Sequence, residues 1–140
     1  MPFRIAKTFT VESGHLLTKH PGACRFPHGH SRLIEIVVAS DSLDARDMVC
    51  DFAELKAAAS DTVARFDHTF ALNSTDPACP ALQLAYGDRV VIFENTDPTS
   101  EVLAHEIFRA VRAKLPTAAG LRLERVRVTE TASSWAEYSE

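Results

Sequence analysis

The sequence predicts an α+β domain in which an antiparallel sheet carries two helices on one face, in the order β-β-α-(β)-α-β. Three observations predict it. Apolar residues alternate at Phe3, Ile5, Phe9 and Val11, a β-branched run spans Leu33 to Ala39, and two later stretches place apolar residues at helical spacing. At 140 residues the chain has the size of one domain, and residues 1–140 read as a single unit without repeat, low-complexity tract or linker.

The punctuation of the chain justifies each element in turn. Phe3 to Glu12 is the first strand, with one apolar face. Pro21, Gly22, Pro27 and Gly29 then shape a loop leading into the second strand, Leu33 to Ala39, which is apolar on much of both faces. Asp51-Phe-Ala-Glu54 has the form of a capping box, followed at helical spacing by Leu55, Ala58, Ala59, Thr62, Val63 and Phe66. A second helix opens around Asp97-Pro98-Thr99-Ser100-Glu101, with Pro98 suited to the first turn. Its stripe is Leu103, Ile107, Ala110, Val111 and Leu115, and Pro116 ends it.

Between the helices, Asn73 to Asn95 contains a short strand at Arg89 to Phe93. The last strand runs from Leu121 to Glu130. Leu121 and Leu123 share one parity, whereas Val126, Val128 and Glu130 share the other. A β-bulge near Glu124-Arg125 brings all five to one face and directs Glu130 into an apolar surface.

Composition excludes several classes of function. An apolar share of 46% and a charged share of 24% are ordinary for a soluble globular protein. Fifteen basic residues against nineteen acidic ones, a net charge of −4, form no like-charged run, so neither nucleic acid nor an anionic membrane is expected as partner. The apolar stretches are too short to span a bilayer, and the N-terminus lacks the apolar core of a signal peptide, so a cytoplasmic chain is expected. Cys24, Cys50 and Cys79 are odd in number and widely spaced, which does not read as a disulfide framework.

The candidate chemistry begins with His28-Gly29-His30. On a strand, residues two apart face the same side, so both imidazoles enter one space, and Gly29 lets the backbone approach closely. His15 follows the first strand in the parity of Val11 and Ser13 and reaches the pair from the neighbouring strand. Three neutral imidazoles suit zinc and leave a fourth position open. A His-x-His pair by itself is more often two surface or packed histidines. His105, opposite the helix stripe, and His20, in a loop, both read as solvated.

Cys24 lies four residues before His28. Near a zinc ion or beside Arg25 its thiolate is favoured, and it reads as a general base, a fourth zinc ligand or an inert thiol. Cys50, at a strand–helix junction, and Cys79, in a loop without polar helpers, read as inert. Asp67-His68 is either a proton-transfer pair, with the carboxylate steadying the ring, or a helix C-terminus with a favourably placed histidine. Glu130 on an apolar face needs a partner. A planar ligand with adjacent N–H donors would supply one, and Arg125 or Arg127 would supply a structural alternative.

Taken together, Phe9 to His15 (FTVESGH), Cys24 to His30 (CRFPHGH), Asp51 to Lys56 (DFAELK), Asp67-His68 with Leu72-Asn73, Pro98 to Ala104 (PTSEVLA), and Glu130-Thr131 with Tyr138 resemble the 6-pyruvoyltetrahydropterin synthase and 6-carboxytetrahydropterin synthase family. The likeness is collinear over nearly the whole chain. It implies a T-fold, a Zn2+ ion on His15, His28 and His30, Cys24 as catalytic cysteine, and Asp67 and His68 as the proton relay. It also implies Glu130 as the pterin anchor, sometimes part of the relay itself, and a hexamer with sites between subunits.

The short Cys24–His28 gap resembles the bacterial 6-carboxytetrahydropterin synthases of queuosine biosynthesis. These act on 7,8-dihydroneopterin triphosphate and release acetaldehyde and triphosphate. The alternatives are a pyruvoyl synthase, which eliminates triphosphate only, and a silent pterin- or zinc-binding homologue. Lys19, His20 and Arg25 are placed to meet phosphates. Ser13-Gly14 replaces the family's usual Ala-Ala, and Asp76 to Asn95 exceeds its usual short connection.

Overall fold

The computed structural model describes residues 1–116, 118 and 120–140. Strand β1 spans Phe3–His15 and β2 spans His28–Ser40, both longer than the alternation alone delimits. They pair antiparallel from Phe3–Ser40 to His15–His28, a register that sets Ser13 beside His30 and Val11 beside Arg32. Helix α1 follows at Phe52–Ala64, with the capping box formed as expected: Asp51 accepts from the Ala53 N–H, and Glu54 reaches back to the Asp51 N–H.

Strand β3 (Thr69–Asn73), helix α2 (Cys79–Tyr86) and strand β4 (Val90–Phe93) then occupy the segment between the long helices. Helix α3 runs from Ser100 to Lys114, β5 from Arg122 to Thr131, and β6 from Ser134 to Ser139.

The six strands form one sheet in the order β4-β3-β1-β2-β5-β6. The β1–β2 and β2–β5 pairs are antiparallel, as the sequence implies, and β6, which it did not anticipate, pairs antiparallel with β5. The unanticipated β3 and the expected short strand β4 run parallel to β1 and to each other, so the sheet is mixed on that side. The main core joins the inner face of the sheet to the two long helices. Val11, Ile34, Ile36, Val38, Val126 and Val128 meet Leu55, Ala59 and Val63 of α1 and Leu103, Ala104, Ile107, Phe108 and Val111 of α3.

The bulge in β5 lies where the parity change requires it. Val37 pairs with Arg125 and Val38 with Leu123, leaving Glu124 as the extra residue. Leu123, Val126 and Val128 are consequently all buried, and Leu121 packs against the same core. A second bulge was not expected. Thr129 pairs with Trp135 but Thr131 with Ser134, so Glu130 is the unpaired residue between them. Bulges of this kind redirect side chains beside functional sites.

Two local readings need correction. Helix α3 starts two residues later than a first-turn Pro98 requires. Thr99 is its N-cap, accepting from the Val102 N–H, and Pro98 precedes it. Asp97 instead ties the chain to its neighbours, accepting from the backbone of Thr18 and Lys19 and from the Asn73 amide. Cys79 is not a loop residue but the buried start of α2. Among the described residues, no helix is long and apolar enough to cross a membrane.

Candidate metal centre and its surroundings

The inner-face row of β2 reads Val38, Ile36, Ile34, Arg32, His30, His28, every second residue along one strand. Its upper half is core, and its lower half is chemistry. Across the β1 register, Val11, Ser13 and His15 continue the same face, so His15 and His28 are direct cross-strand partners. Gly29 faces Gly14 in that ladder, and a Cβ on Gly29 would lie 3.2 Å from the Ser13 carbonyl oxygen. The close approach anticipated at Gly29 is therefore present.

His15, His28 and His30 bring one ring nitrogen each to within 4.8 Å of one another. Their ring centroids are 4.5 to 5.1 Å apart. Two rings are oriented from behind. His15 Nδ1 meets the Pro98 carbonyl at 2.8 Å, and His28 Nδ1 meets the Phe26 carbonyl at 2.7 Å. A donor N–H at Nδ1 leaves the Nε2 lone pair free, which is the arrangement metal-binding histidines use.

The Nε2 atoms of His28 and His30 are buried and have no hydrogen-bond partner. Glu130 Oε1 lies 3.2 Å from His30 Nε2, but the alignment is too poor for a hydrogen bond. Buried orphan acceptors are costly, and here two of them converge with a third ring. Burial, with Arg32 and the other two rings adding to it, pushes the His15 imidazole down to about 4, so it is neutral at ordinary pH. Burial, joined by Arg32 and His28, also lowers His30, against the opposing pull of Glu130. Three imidazoles that each turn one ring nitrogen toward a common point fit a divalent metal ion.

Glu130 does reach the inner face, but it does not meet an apolar surface. It lies 3.5 Å from His15 Nε2 and 3.9 Å from Arg32 Nη2, and its side chain is partly exposed. The rivals considered from sequence point elsewhere. Arg125 pairs with Glu35 and Glu137, while Arg127 pairs with Glu137 and covers the Trp135 ring. Glu130 thus stands where the apolar row of β5 runs out.

Asp67 and His68 form a pair, with Asp67 Oδ2 3.1 Å from His68 Nδ1. The other Asp67 oxygen accepts from the Glu12 N–H at 2.9 Å, and this bond, followed by His68, holds the carboxyl below its usual range. His68 adopts a left-handed backbone, φ 56°, at the turn from α1 into β3, and its side chain is exposed. A cavity of about 480 Å³ joins His68 to His28 and His30, with Gly14 and Phe70 in its wall. His68, His28 and His30 therefore face one space.

Cys24 is half-buried in a 3-10 turn at Ala23–Arg25 and does not line that cavity. Lys19 and His20 line a different depression, with Asp97 and Thr99. The other cysteines, Cys50 and Cys79, are buried, and burial raises the Cys50 thiol. His105 is exposed, as expected, with its ring against Tyr138.

Sequence reasoning missed Arg32, Ser13 and Ser100. Arg32 is 1% exposed, and its guanidinium donates to Ser13 Oγ at 2.8 Å and Ser100 Oγ at 2.9 Å. The signal was available in the parity of β2: a charged residue sits in the row of His28 and His30 where the apolar row should begin.

Comparison with known proteins agrees with this geometry. The family described as 6-pyruvoyl tetrahydropterin synthase matches residues 4–140. A 6-carboxy-5,6,7,8-tetrahydropterin synthase of Aquifex aeolicus is 34% identical over 161 aligned residues, covering 100% of this chain and 99% of the relative. One from Synechocystis is 36% identical over 138, covering 96% and 91%. Among solved structures, an uncharacterized protein of Wolinella succinogenes superposes with a TM-score of 0.84 at 22% identity, covering 100% of this chain and 99% of that one. The 6-pyruvoyl tetrahydropterin synthase of Caenorhabditis elegans gives 0.74 at 18%, covering 100% and 96%. With its fold shared and its whole length matched, the chain belongs to the 6-pyruvoyl tetrahydropterin synthase family.

Proposed function

We propose that this chain is a lyase that converts 7,8-dihydroneopterin triphosphate to 6-carboxy-5,6,7,8-tetrahydropterin, releasing acetaldehyde and triphosphate. The observation that carries the reading is the convergence of His15, His28 and His30, with the Nε2 atoms of His28 and His30 unpartnered and these two rings lining a cavity shared with His68. The relatives at 34% and 36% identity bear the name of this product.

His15, His28 and His30 would hold Zn2+, which supplies Lewis acidity toward the hydroxyls of the substrate side chain. The Pro98 and Phe26 carbonyls fix the ring orientations, so little reorganisation is needed on binding. Glu130 anchors the pterin ring through paired N–H donors and holds the side chain over the histidine cluster. Asp67 keeps His68 oriented at the cavity wall, where His68 can take up and return a proton. Cys24 serves as the second base. It lies outside the cavity formed by this chain, and a neighbouring subunit of a hexamer would complete the wall on its side.

The test is incubation of zinc-loaded protein with 7,8-dihydroneopterin triphosphate and mass spectrometry of the products. Acetaldehyde with a 6-carboxy product supports the reading. A pyruvoyl product without acetaldehyde would transfer the chain to the elimination-only activity. Zinc at full occupancy without turnover would make it a binding protein.

A further inference from the structure

Arg32 is the only arginine or lysine buried among the described residues, and it stands against the histidine cluster rather than within a structural ion-pair network. Burying a guanidinium is costly unless it is fully partnered. Two of its arms are held by Ser13 and Ser100, which come from β1 and from the first turn of α3. The third, Nη2, lies 3.3 and 3.4 Å from the two nitrogens of His15 and 3.9 Å from Glu130 Oε1.

We propose that Arg32 is a positioning residue that holds the Glu130 carboxylate against the histidine cluster while its fixed charge weakens the cluster's grip on a divalent cation. An arginine only donates, so Nη2 and a metal ion compete for the one lone pair that His15 Nε2 offers. When an ion occupies that lone pair, the Glu130 carboxylate 3.9 Å away is an acceptor within reach of Nη2, and the arm turns to it. Glu130 is the only acidic residue paired with the cluster among the described residues. In a buried site the repulsion between guanidinium and dication is poorly screened. The cation thus trades metal affinity for placement of the carboxylate.

A packing role predicts something different. If Arg32 merely fills space, any replacement loosens the site and lowers metal affinity and turnover together, as loss of supporting residues around a metal usually does.

The inference rests on reading the three histidines as a metal site, and the experiment separates the two. Metal-free native protein, Arg32→Gln and Arg32→Lys are titrated with Zn2+ against a chromophoric chelator, and kcat is measured on the loaded forms. Removing the charge in Arg32→Gln is expected to tighten zinc binding about tenfold while kcat falls at least about tenfold. Arg32→Lys, which keeps the charge, is expected to bind zinc within about threefold of native and to retain part of kcat.

A folded Arg32→Gln that binds zinc no more tightly than native overturns the inference. Should that variant fail to fold, about tenfold weaker zinc binding by Arg32→Lys overturns it instead. Native protein that takes up no zinc overturns the metal reading and this inference with it. Tight native binding with an unresponsive Arg32→Gln removes the inference alone.

Discussion

The Pro98 carbonyl lies 2.8 Å from His15 Nδ1, so the residue just ahead of α3 fixes the direction in which a buried imidazole presents its other nitrogen. The helix start and the histidine cluster are thereby one mechanical unit. His15→Ala removes an imidazole of the cluster that is 1% exposed and already oriented. Zinc affinity is expected to fall about a thousandfold, with the metal-free fold retained, as read by chelator competition and circular dichroism.

The metal-free protein should lose stability as pH falls below neutrality. The His15 ring is lowered from 6.5 to about 4 in the fold, so the unfolded chain binds its proton first. Stability from this source is complete above about pH 6.5 and is lost progressively down to about pH 4. The full effect is about 3 kcal/mol, with His30 acting in the same direction. Urea titrations of metal-free protein at pH 7.5 and 4.5 should show the midpoint falling. His15→Ala should flatten that dependence.

Glu130→Gln keeps the shape of the side chain but removes its charge beside His30 and Arg32. Turnover is expected to drop about a hundredfold or more while bound zinc stays near one per chain. Steady-state kinetics with parallel metal analysis checks both. Loss of zinc alongside activity would make Glu130 a ligand instead of an anchor.

Asp97 holds the site from outside. Its two oxygens accept from Thr18 N–H, Lys19 N–H and Asn73 Nδ2, joining three segments next to Pro98. Asp97→Ala leaves these donors without partners and is expected to cost about 2–4 kcal/mol in urea unfolding. Zinc affinity should weaken with it, because the Pro98 carbonyl loses its support.

The legible parts of the fold were those with strong periodicity. The capping box at Asp51, the two long helices, and the β5 bulge at Glu124 all follow from residue pattern. Strand β3 escaped because its five residues end in Ala71, Leu72 and Asn73, which are buried on both faces and show no alternation. Strand β6 follows a turn at Thr131–Ser134 that has no glycine or proline to mark it.

At the site, the three histidines were legible because strand parity places them. The partners of Glu130 were not, because the bulge that aims it depends on pairing with the unrecognised β6. Arg32 shares the parity of the histidines, yet its burial becomes evident only once Ser100 of α3 arrives beside it.

Nuclear magnetic resonance of protein labelled with 15N-histidine, recorded with and without one equivalent of Zn2+, tests the metal centre most directly. The Nε2 resonances of His15, His28 and His30 should all shift on zinc addition, while His15 and His28 keep their Nδ1 protons on the Pro98 and Phe26 carbonyls. Unchanged Nε2 signals from any one of the three rings, or zinc appearing on His20, His68 or His105 instead, would contradict a three-histidine centre.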